Sequence, residues 1–204
     1  MPRIEAPTVA EHREQRRKAI LDAARSLMVE TGEPPSMGQV GKRAGLARSS
    51  VYQYFDSVEE LLTAVAGDVF PGWSAEVRNR VAGASSPGER VWAYIEANFA
   101  LSTSPELGVI QVLSRVIPPQ DLHSPMKEFH LQLQVPLRQA LIDLREPDPE
   151  VMAGFIDALI VQATHDLEGE NAALRASTAA WSLASLRRLI GSYLGLATEI
   201  SHSE

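Results

Sequence analysis

The sequence predicts an all-α fold, with a small N-terminal domain over residues 1–56 and a larger C-terminal domain over residues 57–204. Apolar residues recur with the 3.6-residue period of helices, and the alternating apolar-polar runs of strands are absent. The net charge changes sign at this boundary: residues 1–56 carry +2 and residues 57–204 carry −9, of a total of −7. This asymmetry indicates a nucleic-acid-binding end joined to an acidic body.

The first predicted helix runs from about Glu11 to Glu30. Thr8 and Glu11 have the spacing of a capping box, in which a hydroxyl and a carboxylate satisfy free backbone amides at a helix start. Gly32 ends the pattern, since glycine is common just past the last helical turn. The buried face of this helix is predicted to contain Ile20, Ala24, Leu27 and Met28.

Later helix starts share a small polar residue, followed by proline at the first helical position or by a glutamate or glutamine three places on. They are Ser36-x-x-Gln39, Ser57-x-x-Glu60, Ser86-Pro87-x-Glu89, Ser104-Pro105-Glu106, Ser124-Pro125 and Asp148-Pro149-Glu150. Their coincidence with apolar periodicity supports an all-α chain.

Residues 36–55 have the organisation of two short helices joined by a turn at Gly45. Two helices this short bury little surface alone, so they need the long first helix as a third wall. The predicted core positions of the pair are Val40, Ala44, Val51 and Phe55. The pattern is typical of a helix-turn-helix, whose second helix enters the major groove of DNA.

Three motifs occur in order between about residues 13 and 65: Lys42-Arg43-Ala44-Gly45-Leu46, Val51-Tyr52-x-Tyr54-Phe55 and Ser57-x-Glu59-Glu60-Leu61-Leu62. In this order and spacing they resemble the tetracycline-repressor (TetR-like) family. The resemblance implies an N-terminal three-helix helix-turn-helix DNA-binding domain plus a C-terminal helical ligand-binding and dimerisation domain. It further implies a transcriptional regulator, more often a repressor, that binds a palindromic double-stranded DNA operator as a homodimer and is released by a small apolar effector.

By this resemblance, seven residues contact DNA. Arg48 and Ser49 at the start of the second helix would face base edges, and Gln53 would lie near bases. Phosphate contacts, which set register rather than sequence preference, would fall to Ser36, Ser50, Tyr52 and Tyr54.

The chain departs from the family pattern at two positions. Val58 stands where the family usually has a phosphate-binding lysine, and Ala47 stands where it favours serine or threonine. A lost capping hydroxyl costs about 1 kcal/mol. DNA binding is therefore expected either to be weaker than usual or to use other contacts, such as the arginines of the first helix, Arg13, Arg16 and Arg17.

The resemblance also implies an effector pocket in the C-terminal domain. Its predicted lining is Trp73, Phe99, Phe129, His130 and Leu133. Pro136 interrupts an apolar stripe and should kink the helix there, which can open space between packed helices. Ordinary core packing is the alternative interpretation for each aromatic residue.

The last two predicted helices, about Glu150 to Glu168 and Leu174 to Leu196, are apolar around much of their circumference. Such helices must be covered on two sides, one by the domain core and one by a symmetric partner. The predicted dimer interface contains Phe155, Leu159, Leu186, Ile190 and Tyr193.

The sequence excludes several classes of function. It has no cysteine, which rules out disulfides and thiolate chemistry. The histidines form no His-x-x-x-His pair and no His-Glu-x-x-His motif, so we expect no metal, no cofactor and no enzymatic activity. No apolar stretch is long enough to span a bilayer, and the N-terminal residues have no signal-peptide pattern. We therefore expect a cytoplasmic protein without a membrane partner.

Two alternatives stay open at this point. One is a TetR-like ligand-binding protein that has weakened or lost operator binding, in keeping with Ala47 and Val58. The other is an all-α enzyme built around the C-terminal pocket.

Overall fold

The structure, a computed structural model, describes residues 9–102, 104, 107–116, 125–165 and 172–196. These residues form nine α-helices and no strand, which confirms the predicted all-α class. In chain order the helices are α1 (Val9–Thr31), α2 (Met37–Ala44), α3 (Arg48–Val51), α4 (Val58–Ala82), α5 (Pro87–Ser102), α6 (Leu107–Val116), α7 (Pro125–Asp143), α8 (Pro149–His165) and α9 (Ala172–Ile190).

The capping box predicted at the start of α2 is complete. The Ser36 amide donates to Gln39 Oε1 at 2.8 Å, and the Gln39 amide donates to Ser36 Oγ at 3.3 Å. At α4 the Glu60 amide donates to Ser57 Oγ at 3.1 Å, while the Glu60 carboxylate accepts from the amide of Asp56 at 2.5 Å. Both helices therefore begin where the sequence predicts.

The starts of α5 and α8 follow the same rule. The Glu89 amide donates to Ser86 Oγ at 3.2 Å, and the Glu89 carboxylate accepts hydrogen bonds from Ser85 and Ser86 in return. These hydrogen bonds lower the pKa of Glu89, and the bond from the Ser85 hydroxyl contributes most to this shift. In front of α8 the Val151 amide donates to Asp148 Oδ1 at 3.2 Å.

Helix α1 buries one face, as predicted. It ends at Gly32, whose φ of +65° is left-handed and whose amide donates to the Met28 carbonyl at 2.8 Å. Thr8, half of the capping box predicted for its start, lies outside the described residues. The buried residues of α1 are Ile20, Leu21, Ala23, Ala24, Leu27 and Met28.

The chain divides into two compact units, one of Met1–Phe70 with Gly108–Lys127 and one of Pro71–Leu107 with Glu128–Glu204. Helix α4 contributes to both units, and the division falls beside the proline inside it, Pro71. The domain boundary predicted between residues 56 and 57 stays a prediction.

In the first unit, α6 is tied to the turn that follows α1. The Arg115 guanidinium donates to the carbonyl of Gly32 and pairs with the Glu33 carboxylate at 3.5 Å. The apolar side of α6 is buried through Val109, Val112 and Leu113. A helix from the middle of the chain thereby supports the end of α1.

The second unit has a polar network inside its core. The buried Tyr94 hydroxyl of α5 donates to Asp157 Oδ1 of α8 at 2.8 Å, and the Gln134 amide of α7 donates to the other oxygen of that carboxylate. Arg138 donates to Gln134 at 2.8 Å and pairs with Glu150 at 2.9 Å. Burial, followed by the neighbouring carboxylate, raises the pKa of Tyr94. The network joins three helices.

The turn that follows α9 fits closely against the start of α5. Leu194 in this turn is buried, and a Cβ added at Gly88 would lie 1.8 Å from the Leu194 carbonyl oxygen. The Tyr193 hydroxyl donates to the Glu146 carboxylate after α7. Only a residue without a side chain fits at position 88.

Replacing Gly88 with alanine should destabilise the protein by about 1–3 kcal/mol, because the added methyl group forces α5 away from the Leu194 backbone. Gly154→Ala is the matched control, since a Cβ at this exposed site in α8 meets nothing within 4 Å. It should raise stability by about 0.5–1 kcal/mol through its better helix propensity. Urea unfolding followed by circular dichroism measures both, and equal stability of the two variants would contradict the close fit.

Candidate DNA-binding site

The helix-turn-helix is held together by a small apolar core. Val40 of α2 and Val51 of α3 are fully buried, and Phe55 is buried beside them, while Ala44 is half-buried. The turn begins at Gly45, which has the left-handed φ of +69° that favours glycine. These are the core and turn positions that the sequence predicts.

Gly41 allows α2 and α3 to approach each other, a role that the sequence analysis missed. A Cβ at this position would lie 2.9 Å from the Leu46 carbonyl oxygen and 3.3 Å from the Val51 side chain. The Leu46 amide donates to the Gly41 carbonyl at 2.8 Å, which closes the turn. The sequence signal for this close approach was Gly41 itself, a glycine four residues before the turn glycine, Gly45.

Helices α1 and α2 are joined by a two-pronged ion pair. The Arg43 guanidinium donates to both oxygens of the Glu30 carboxylate, at 2.7 and 2.6 Å. These hydrogen bonds lower the pKa of Glu30 and raise the pKa of Arg43. Arg43 therefore has a partner within the protein and serves the packing of the unit.

Six of the seven predicted DNA-binding residues lie on one short stretch, residues 48–54. Helix α3 has one turn, and the chain continues to coil beyond it, with the Gln53 amide donating to the Ser50 carbonyl at 3.2 Å. The exposed residues of the stretch are Arg48, Ser49, Tyr52 and Gln53, and the half-buried ones are Ser50 and Tyr54. This arrangement leaves an exposed polar surface opposite the buried core.

Arg48 lies against its neighbour one turn away. Its guanidinium stands 5.7 Å from the centre of the Tyr52 ring and donates to the Tyr52 hydroxyl at 3.3 Å. This hydrogen bond raises the pKa of Arg48, so the side chain stays cationic. The pair presents a positive charge and a hydroxyl side by side.

The two departures from the family pattern are visible in the structure. Ala47 is the N-cap of α3 and provides no side-chain hydrogen bond to it. Val58, the first residue of α4, is half-buried and offers no charge. Ser36, at the start of α2, uses its hydroxyl to bond Gln39, at 2.7 Å as donor and 3.3 Å as acceptor. Its contact with phosphate stays a prediction.

The residues predicted to line the effector pocket are only partly described. Trp73, Phe99 and Leu133 are buried in the second unit. The backbone of Phe129 and His130 is described as part of α7, but their side chains are not. The ligand-binding role of all five stays a prediction.

The predicted dimer residues on α8 and after α9 differ in exposure. Phe155 is 61% exposed and Tyr193 is 43% exposed, whereas Leu186 is only 7% exposed and so presents little surface. Leu159 and Ile190 are half-buried. Four more apolar side chains on these helices are exposed, Val151, Val161, Trp181 and Leu189. Their exposure depends on packing that periodicity alone does not show.

Two features of the described residues bear on other classes of function. None of the helices described is both long and apolar enough to cross a membrane. The same residues contain no group of three or more histidine, aspartate or glutamate side chains that could hold a metal ion.

Residues 20–65 match the sequence model of a family described as bacterial regulatory proteins, tetR family. The chain is 36% identical over 89 residues to the HTH-type transcriptional regulator BetI of Burkholderia cenocepacia. This match covers 43% of the chain and 46% of BetI, so the chain spans about half the length of the curated relatives it matches.

Solved structures resemble the fold over most of the chain. The transcriptional regulator FadR from Bacillus subtilis, in complex with stearoyl-CoA, has a TM-score of 0.60 at 16% identity, covering 81% of this chain and 97% of FadR. AibR, in complex with isovaleryl coenzyme A and operator DNA, has a TM-score of 0.60 at 19% identity, covering 83% and 97%. At such identity the likeness shows a shared fold.

The match over residues 20–65 includes α2, α3 and the buried part of α1, which are the elements that position the exposed surface. Residues 20–65 are therefore similar to the tetR family of bacterial regulatory proteins, and the chain is TetR-like in this segment and in its fold.

Proposed function

We propose that the protein is a ligand-responsive transcriptional regulator, acting as a repressor, that binds a palindromic operator as a homodimer and releases it when a small apolar effector binds. The observation that carries this proposal is the exposed polar surface of residues 48–53 on a packed helix-turn-helix of the tetR family. A protein that binds DNA in this way works in the cytoplasm of a bacterium.

Sequence preference would come from the exposed side chains of α3 and the turn after it. Arg48 can donate two hydrogen bonds to guanine, and Gln53 can pair with adenine, while Ser49 can bond either base. Ser36, Ser50, Tyr52 and Tyr54 would hold phosphates and so set the register of α3 on the duplex. AibR, which shares the fold, was solved with operator DNA, and this supports DNA binding by the fold.

Dimerisation would use α8, α9 and the turn that follows α9. Their exposed apolar side chains support this, because large apolar groups on a surface usually mark an interface. The exposed or half-buried members include Val151, Phe155, Leu159, Val161, Trp181, Leu189, Ile190 and Tyr193. A symmetric dimer places two copies of α3 about a two-fold axis, so the operator should be a near-palindrome.

The effector would bind within the second unit, beside Trp73, Phe99, Phe129, His130 and Leu133. FadR and AibR, which share the fold, were solved with stearoyl-CoA and isovaleryl coenzyme A. Both ligands combine an apolar chain with a polar carrier. This supports an effector whose apolar part enters the unit.

A second candidate is a TetR-like ligand-binding protein with weakened or lost operator binding. It is favoured by Ala47, which leaves the start of α3 without a side-chain cap, and by Val58, which removes a cation. DNA binding by the full chain distinguishes the two candidates.

The protein should enrich a near-palindromic sequence from a pool of random DNA duplexes, and fluorescence anisotropy should then show salt-dependent binding to it. Gln53→Ala should relax preference at one base pair of each half-site by about 1–3 kcal/mol, because a base contact is lost. Tyr52→Phe is the matched control, since losing a phosphate contact weakens binding equally on all sequences. Failure to enrich any sequence would reject operator binding and favour the second candidate.

Phe155→Glu should convert the dimer to a monomer, because it places a charge in the centre of an apolar interface. Val135→Glu on α7 is the matched control, since both native side chains are 61% exposed. Light scattering after size-exclusion chromatography measures the mass of each variant. A dimeric Phe155→Glu protein would contradict the assignment of α8 to the interface.

An effector should stabilise the free protein and release it from DNA. Stearoyl-CoA, isovaleryl-CoA and a free long-chain fatty acid are the first probes. A ligand at one hundred times its Kd should stabilise the fold by about 2.7 kcal/mol, seen as a rise in Tm. The same ligand should lower anisotropy on operator DNA. A ligand that raises Tm yet leaves DNA binding unchanged would contradict the release mechanism.

A further inference from the structure

We propose that the first two turns of α1 form a second DNA-contacting surface, where Arg13 and Arg16, with His12 beside them, bind the phosphate backbone next to the groove that α3 reads. The inference rests on the proposed DNA-binding function and extends it from α3 to α1. Its occupant is the sugar-phosphate backbone of the same operator duplex.

An open cleft lies where the beginning of α1 meets the coil that follows α3. Its lining consists of Val9, His12, Arg13, Arg16, Gln53 and Tyr54. Gln53 also belongs to the exposed surface assigned to base contacts, so the cleft continues that surface without a break. A duplex seated on α3 would therefore extend over this part of α1.

Charge is sorted between two nearly opposite faces of α1. Residues 9, 12, 13 and 16 have i, i+3, i+4, i+7 spacing and form one face, which contains no acidic residue. Residues 11, 14, 15 and 18 form the nearly opposite face, which contains Glu11 and Glu14 and lines a separate depression. The face that adjoins α3 is the cationic one, which is the arrangement that suits a polyanion.

The arginines of this region fall into two groups. Arg17 lies 5.6 Å from the centre of the Phe55 ring and pairs with Glu14 at 3.8 Å, so it serves packing. Arg13 and Arg16, in contrast, form no ion pair within the part of the chain that the structure describes, and both are exposed. Arg13 stands 5.9 Å from the centre of the Tyr54 ring, which holds it at the edge of the cleft.

Guanidinium groups without a carboxylate partner match the geometry of a phosphate, which they bind through two parallel hydrogen bonds. This also accounts for Val58. The cation absent from the start of α4 is replaced by two on α1, so the number of phosphate contacts need not fall. The surface carries no exposed apolar patch of the kind that a protein partner would bury, since Val9 is its one apolar member.

Arg16→Ala and Arg13→Ala test the proposal on the full chain with the duplex selected from the random pool. Each should lower the slope of log K against log salt by about one unit. Each should also weaken binding to the selected duplex and to a scrambled duplex by the same factor. Arg25→Ala is the matched control, because Arg25 is exposed on α1 at about 180° around the helix axis from Arg16. It should leave slope and affinity unchanged.

A second readout locates the contact on the DNA. Ethylation of phosphates flanking each half-site should reduce binding of the wild-type protein but not of Arg16→Ala. The conservative variant Arg16→Lys keeps the positive charge and should have the wild-type salt slope. The proposal would be overturned if Arg13→Ala and Arg16→Ala had the same salt slope as the wild type and Arg25→Ala. It would also be overturned if these two variants altered base preference and left the salt slope unchanged. Failure of the wild-type protein to select any duplex would reject the proposed function itself, which separates the two outcomes.

Discussion

The position of residues 48–54, which include six of the seven predicted DNA-binding residues, depends on the burial of two side chains, Val51 and Phe55. Helix α3 has a single turn, and a helix of that length does not form alone in water, because nucleation is unfavourable until further turns are added. Packing of α3 onto α2 imposes its conformation and buries Val51, while Phe55 is buried beside the Arg17 side chain of α1. The exposed residues Arg48, Ser49, Tyr52 and Gln53 are thus placed by contacts on the opposite side of the same stretch.

The elements of the fold were predictable because they depend on residues close together in the chain. The capping boxes at Ser36 and Ser86 and the left-handed Gly45 follow from residue types at short spacings. The pairing of Tyr94 with Asp157 was not predictable, since these residues are 63 positions apart and periodicity does not say which buried faces meet. Local signals therefore set where helices begin, and packing decides what they contact.

In the candidate site, too, local sequence predicts some features and packing determines others. The exposed side chains of α3 follow from the family motif, but the close approach at Gly41 and the ion pair of Arg43 with Glu30 depend on how α1, α2 and α3 are arranged in space. On α9, which is apolar around much of its surface, Leu186 is buried and Leu189 is exposed. The composition of a helix that is apolar on two sides does not distinguish its core face from its outer face.

The contact of Arg48 with Tyr52 has a consequence for the entropy of recognition. A long flexible side chain normally loses rotamer freedom when it binds, and this loss opposes association. Stacking on the Tyr52 ring already restricts the Arg48 guanidinium in the protein alone. Part of the ordering thus takes place during folding, and less would remain to oppose the proposed binding of DNA. In the proposed function the stretch would meet the duplex as a preorganised surface, so base discrimination would rest on hydrogen-bond geometry more than on the loss of side-chain freedom.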